Sequence, residues 1–557
     1  MQQRITYPKI NGVDILFTES FVEYLLHMHD LFFNRVNQVR KDRKSLLNKV
    51  HKTGLSSLHS PITNINTDNW TVDKVPDELR NPGIEICGPA SVASMMINAL
   101  NPGPEGERAI GYLDDDEDSA NHSFTDTINA ALNRLAAVTK TLKYTDVSRN
   151  RFYQLQPGKL PFFMHRERGL HLDEHDVFID GNKISATILG TALTIFHCGS
   201  AQANNGENIY FYLPKLESVK EVTIYKDFFD ESRIFLKLSN TYIIKAIILV
   251  ESLPAIYQME DMLHALGEYG AGLNAARWDL KASILEFILP DSKFIWPDRF
   301  DVDIKTTEFL TNIFKRLVAI CLKREAVPIG GMATALPSTD QETNEIAANS
   351  IKQDKNWEAK QGFLRGWSAH IYHMKVASDQ FIDWKSLGKD PEQEMYIPNN
   401  YPINIVTPTG DITTEGTRKN IRTIIEYLEG WLNGKGAKGI NSMEGKEGKY
   451  PALMEDLATA RISVGQVAQR VMHSAKGIDD NQKHDLNLII KIADKELSDI
   501  LKKRIESDPE KKIKISSDYK KARNITIQWI KNYTNLNFRS LGSYSKKELD
   551  ELSKSVI

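Results

Sequence analysis

Residues 242–254 read YIIKAIILVESLP. An almost unbroken aliphatic run, interrupted once by Lys245, halts on an acid, Glu251, and then on Ser252, Leu253 and Pro254. A short run this apolar, bounded by a proline, reads as a strand buried on both faces, and such strands belong to parallel sheets covered by helices. It falls far short of the ~20 residues a membrane helix needs. Outward from it, between about 84 and 336, comparable runs recur between longer mixed segments: IEIC, LPFFM, LTIFH, IYFYL, ILEFIL and VPIGG. Strands alternating with helices imply βαβ units, an α/β fold and a parallel sheet.

On either side the texture is helical. Residues 21–50 carry helix-length apolar spacing with a basic second half, and the 22 residues from Asp485, DLNLIIKIADKELSDILKKRIE, form a strongly amphipathic pattern. The expected division is an N-terminal helical segment over 1–80, a catalytic unit over 81–375 and a C-terminal helical domain over 376–557. The Gly/Lys-rich stretch NGKGAKGINSMEGKEGKYP, residues 433–451, reads as a solvated loop. Its glycine spacing does not fit a phosphate-binding loop, and Glu447 stands where that loop needs Ser or Thr.

Composition removes several function classes. The chain has 557 residues with 70 basic and 73 acidic groups, a formal charge of -3, and so is no general polyanion binder. The Lys-rich stretch at 508–523 does not interleave aromatics with its bases, and no nucleic-acid partner is expected. Cys87, Cys198 and Cys321 are far apart and form no CxxC pair, so neither a disulfide framework nor a zinc ribbon has support. HLDEH, residues 171–175, matches an inverted zinc-protease string, but it lies between a strand and VFIDG rather than on a helix. The opening MQQRITYPKI lacks a signal-peptide layout and the closing SVI is not a peroxisomal address. The expectation is a cytoplasmic protein with no membrane partner, as a monomer or a small homo-oligomer.

In a parallel barrel the chemistry gathers at the C-terminal ends of the strands. Those ends carry Glu117 and Asp118 after GYLDDD, Arg166 after LPFFMH, and Glu251 after AIILV. In GAGLNAARWDLKASILEF, residues 270–287, a Gly-Leu-Asn turn precedes Arg277, Trp278 and Asp279, with an apolar run behind them that reads as a strand. Carboxylates without histidine or cysteine favour a hard cation such as Mg²⁺, and Glu251 and Asp279 fit that role. The plainer reading of either acid is a helix cap or a surface ion pair.

Several blocks resemble the malate synthase family in order and spacing: IEICGPASVASMMINALN, LDDDEDS, RERGLHLDEHDVFIDG, IYFYLPKLES, AIILVESLPA, GAGLNAARWD, VPIGGMATALP and LMEDLATARIS. The resemblance spans nearly the whole chain and points to the smaller form without an extra inserted domain. It implies a TIM (β/α)8 barrel with a helical C-terminal cap, and an acyltransferase of the glyoxylate cycle. That reaction is a Mg²⁺-dependent condensation of acetyl-CoA with glyoxylate, followed by thioester hydrolysis to malate and CoA. By the same resemblance Glu251 and Asp279 are metal ligands, Arg166 is the catalytic arginine and Asp456 the catalytic base. Glu117 and Asp118 stand behind the metal, and the backbone amides of Trp278 and Asp279 hold glyoxylate.

The chain also departs from the family. Glu167 adds a negative charge beside Arg166, Leu170 and Leu280 replace aromatics, and the block DGTWVAHP appears only as LRGWSAHIY. Two other readings use the same residues: a related CoA-ester lyase that stops at the thioester, and a silent binding or scaffold protein. Release of free CoA separates synthase from lyase. Joint retention of Arg166, Glu251, Asp279 and Asp456 argues against the scaffold.

Overall fold

The computed structural model describes residues 4–58, 63–239, 241–386, 391–441 and 450–554. Eight strands close a parallel barrel in strict chain order: β1 Gly83–Gly88, β2 Gly111–Asp115, β3 Phe162–Arg166, β4 Ile209–Leu213, β5 Ile244–Val250, β6 Gly270–Ala275, β7 Val327–Ala333 and β8 Arg365–Ser368. Period-2 alternation explains the near-continuous apolar runs, because both faces are covered. Cys87, Leu113, Met164, Tyr210, Tyr212, Ile247, Leu249, Ala271 and Trp367 pack inside the barrel. Ile86, Tyr112, Phe163, Phe211, Ile248 and Leu273 face the surrounding helices. β6 and β7 approach so closely at Gly272 that a Cβ there would lie 2.0 Å from the Val327 carbonyl oxygen.

Two runs read as strands are not strands. LTIFH continues the Ala186–Leu193 helix, and ILEFIL belongs to the helix Arg277–Ile288. The Gly-Leu-Asn segment is not a turn but the middle of β6. Both helices are buried on nearly every side, and a short apolar run then carries no period that separates helix from strand. The Arg277–Ile288 helix is packed between the barrel and the Leu457–Met472 helix, where Gly465 meets Leu285. β8 escaped notice for the opposite reason, since its four residues include the buried, charged Arg365.

The helix Glu19–Thr53 lies along the Ala186–Leu193 and Val219–Phe235 helices, burying Phe21, Tyr24, Leu25, Met28, Phe32 and Val36 at helical spacing. Thr18 caps its start by accepting from the Phe21 amide, and Gly54, at φ 80°, ends it. The C-terminal helices Thr414–Leu432, Leu457–Met472, Leu486–Ser507 and Lys512–Thr534 enclose a core of their own built on Ile421, Leu428, Val464, Ile489 and Ile530. Residues 442–449 of the Gly/Lys-rich stretch lie outside the described residues. The flanking segments Lys438–Ile440 and Leu453–Glu455 pair antiparallel. No helix among the described residues is long and apolar enough to cross a membrane.

Candidate active site

Alternation along the barrel strands aims the functional side chains. On β5, Ile247 and Leu249 point inward, so Glu251 follows them at the top of the barrel, while Lys245 at the other end donates to the Glu268 carbonyl at 2.7 Å. On β3, Met164 and Arg166 point inward, and Phe163, His165 and Glu167 outward. Asp115 on β2 also points inward, where its two oxygens accept from Arg166 Nε at 2.7 Å and Nη2 at 2.5 Å.

Asp115 also shapes the loop that follows it. Its carboxylate accepts from the amides of Glu117 at 3.0 Å, Asp118 at 3.2 Å and Ser119 at 3.0 Å. A carboxylate bonding amides two to four residues on is the ordinary device for a tight turn. The turn brings Asp118 over the barrel mouth, where Arg166 Nη1 reaches it at 3.0 Å. Glu117 turns away, accepting from the Gly169 amide at 2.6 Å with His171 at 3.5 Å. Burial pushes its carboxyl up to about 7.

Asp118, Glu251 and Asp279 converge, offering one ligand oxygen each within 4.8 Å of one another. None of the three residues is more than 4% exposed. Glu251 accepts from the Lys215 amide at 2.5 Å, while its second oxygen is buried without a hydrogen-bond partner. Burial pushes its carboxyl well above the usual range. Asp279 sits in the first turn of the helix that starts at Arg277. Burial opposes its ionisation, but Lys215 at 2.5 Å and Arg461 at 3.0 Å hold it below the usual range. Backbone amides at the start of that helix have no intrahelical partner and attract anions.

Asp456 reaches the mouth from the C-terminal domain. The Met454 amide donates to the Thr334 carbonyl and the Leu336 amide to the Ala452 carbonyl, so residues 452–454 are zipped onto the chain leaving β7. Asp456 then caps the Leu457–Met472 helix, accepting from the Thr459 amide at 3.0 Å. Burial, with repulsion from Asp118 and Asp279, pushes its half-buried carboxyl up to about 8. Its neighbour Glu455 points elsewhere and pairs with buried Arg299 at 2.9 Å.

The structure thus brings Arg166, Glu251, Asp279 and Asp456 to one barrel mouth and adds Asp118 to the carboxylates that the resemblance places on the metal. Glu117 stays behind them. Sequence reasoning missed Asp115, Lys215 and Arg461. The signal for Lys215 was present, since LPKLES puts a lysine two residues after a buried strand end.

The departures at Glu167, Leu170 and Leu280 fall outside this constellation, whereas LRGWSAHIY puts Trp367 against the Arg166 guanidinium. Glu167, on the outer face, accepts from Thr194 and lies 3.3 Å from Arg134, which also holds Asp114 at 2.7 Å and Asp116 at 2.9 Å. Leu170 and Leu280 are core residues with no exposed surface. Replacing Arg134 by methionine leaves three buried acids without their cation. It is expected to cost about 3–5 kcal/mol in a urea melt, with turnover per folded molecule retained.

Family models support the same reading. Residues 162–405 match "Malate synthase, TIM barrel domain" and residues 411–546 match "Malate synthase, C-terminal". Malate synthase of Myxococcus xanthus is 34% identical over 425 residues, 75% of this chain and 74% of that one. Malate synthase A of Escherichia coli is 33% identical over 465 residues, 82% and 83% of the two chains. The glyoxysomal malate synthase of Candida tropicalis is 31% identical over 494 residues, 85% and 86%. With both family regions matched and a third of positions shared over most of the chain, this protein belongs to the malate synthase family.

Proposed function

We propose how the chain carries out the malate synthase activity that its family assigns to it, the condensation of acetyl-CoA with glyoxylate and the hydrolysis of the resulting thioester by water to give malate and CoA. The observation that carries the proposal is the meeting of Asp456, from the C-terminal domain, with Arg166 and three buried carboxylates at the barrel mouth.

A divalent cation fits the carboxylates. All donors are hard oxygens, and the second Glu251 oxygen is buried with no hydrogen-bond partner, facing the Lys215 ammonium at 3.6 Å. Asp118, Glu251 and Asp279 would hold Mg²⁺, which supplies Lewis acidity toward the glyoxylate aldehyde. The chain's own groups do the rest. The free amides of Trp278 and Asp279 at the helix start receive the glyoxylate carboxylate. Asp456 takes a proton from the acetyl methyl, a weak carbon acid that yields only where the enolate oxygen is stabilised away from water. Arg166 supplies that stabilisation. Asp115 and Asp118 occupy three of its five N–H groups, leaving two for substrate oxygens.

We assign residues 1–80 to a helical segment, 81–375 to the barrel and 376–557 to the domain supplying the base; the separate core from Ile421 onward supports the last unit, while Ala377 and Phe381 pack into the barrel's core. We place the enzyme in the cytoplasm, a reading supported by three buried, free cysteines.

Acetyl-CoA with glyoxylate and Mg²⁺ is expected to yield malate and a free thiol in equal amounts, and EDTA is expected to abolish both. Thioester accumulation without thiol release contradicts the synthase reaction. Glu251→Gln and Asp279→Asn are expected to raise the Mg²⁺ concentration needed for half-maximal activity at least about tenfold while the protein stays folded. Full activity of EDTA-treated enzyme would remove the metal.

A further inference from the structure

Lys215 follows β4 by two residues and is buried. Its Nζ lies 2.5 Å from Asp279, 3.0 Å from Asp118 and 3.6 Å from Glu251. The ammonium therefore touches all three carboxylates to which a divalent cation is assigned above.

Its backbone is built into place. Lys215 takes a left-handed φ of 54°, uncommon for a residue other than glycine. Its amide donates to Glu251 at 2.5 Å and its carbonyl accepts from Arg43 at 2.6 Å, so the main chain is held from both sides.

Charge counting singles out this side chain. Three carboxylates face three cations: Lys215, Arg166 on Asp118 and Arg461 on Asp279. With Asp115 on Arg166 and Glu286 on Arg461 at 2.8 Å counted as well, the two arginines keep acids of their own, and a divalent cation on the triad would sit against the Lys215 ammonium, a like charge repelled strongly where water is scarce. The ion pairs of Lys215 all lie within the triad, and its four-carbon stem is flexible. Beside it lies a cavity of about 540 Å³, lined by Arg43, His171, Lys215, Glu217, Glu251 and Arg461. The lysine has room to leave and an acid, Glu217, to meet.

We propose that Lys215 is the resident counter-cation of the metal site. It holds Asp118, Glu251 and Asp279 together before a divalent cation arrives, then turns into the adjoining cavity toward Glu217 when that cation binds. The proposal rests on the metal reading above and adds that the protein carries its own competitor for the site, which weakens metal affinity and preserves the shape of the metal-free enzyme.

The test uses EDTA-stripped full-length protein, calorimetric titration with MgCl₂ and thermal melts with and without Mg²⁺. Lys215→Met keeps the stem and removes the charge. Stripped Lys215→Met is expected to melt several degrees below stripped wild type, the gap closing at saturating Mg²⁺, and to bind Mg²⁺ about tenfold more tightly. Lys215→Arg retains a charge with a bulkier, less mobile head. It is expected to melt like wild type when stripped and to bind Mg²⁺ more weakly.

Unchanged or weaker Mg²⁺ binding by Lys215→Met overturns the proposal while leaving the metal site standing. If Lys215→Met does not fold, the arginine variant decides alone, and tighter binding by it overturns the proposal. Absence of Mg²⁺ binding by wild type would instead overturn the metal reading itself.

Discussion

Asp456→Asn is expected to fold normally, to bind Mg²⁺, and to lose about 10³-fold or more of malate formation. The change is nearly isosteric and keeps an oxygen for the Thr459 amide, so the cap of the Leu457–Met472 helix survives. What is lost is the ability to accept the methyl proton. The surroundings of Asp456 suit a proton acceptor, because burial and the charges of Asp118 and Asp279 make its carboxyl more basic than an exposed one. Glu455→Gln is the informative control, because Glu455 pairs with buried Arg299 and contributes to stability instead. That variant should melt earlier but turn over normally per folded molecule. Steady-state assays on both variants, corrected for folded fraction by circular dichroism, make the comparison. Near-normal malate formation by Asp456→Asn would refute the base and with it the division of labour between barrel and C-terminal domain.

The barrel was legible where period-2 burial left a mark on both faces of a strand. YIIKAIILVE fills the inside with Ile247 and Leu249 and the outside with Ile248 and Val250. It failed where a helix is as buried as a strand, as at Ile284–Leu289, and where a strand is short and charged, as at Arg365–Ser368. Arg365 belongs there for a reason no local pattern contains: Glu85, on the neighbouring β1 and 280 residues earlier, accepts from its Nε inside the barrel at 2.5 Å. Pairings this distant in sequence leave no periodicity.

The site shows the same limit. The acids were visible as charges at strand ends that share one rim, but which of them face one another was not. Asp118 and Glu117 are adjacent in LDDDEDS, and only the three amides bound by Asp115 decide that Asp118 turns over the barrel mouth and Glu117 toward Gly169. The extra charge of Glu167 looked threatening in the sequence because it neighbours Arg166. Strand alternation removes the threat by placing the two on opposite faces of β3, with Arg134 as the partner of Glu167.

The same alternation sets up the second large effect. Arg166→Lys is expected to lower kcat about 10²–10³-fold, the range for losing a donor to a developing oxyanion. The charge is retained, so a purely electrostatic role predicts a small loss. The guanidinium, however, acts in three places at once, since it grips both oxygens of Asp115, reaches Asp118 at 3.0 Å and keeps two N–H groups for substrate. A lysine ammonium has three donors and no plane, so satisfying Asp115 and Asp118 leaves at most one bond, poorly aimed, for substrate. Its shorter head also forfeits the contact over the Trp367 ring, now 5.7 Å from the guanidinium carbon. Arg168→Lys separates this role from simple charge. Arg168 pairs with Glu174 at 2.5 Å and Thr127 at 3.0 Å, away from the barrel mouth, and its substitution should shift the melting temperature rather than kcat. Equal losses of kcat at the two positions would mean that the fork of Arg166 does not face the reacting atoms.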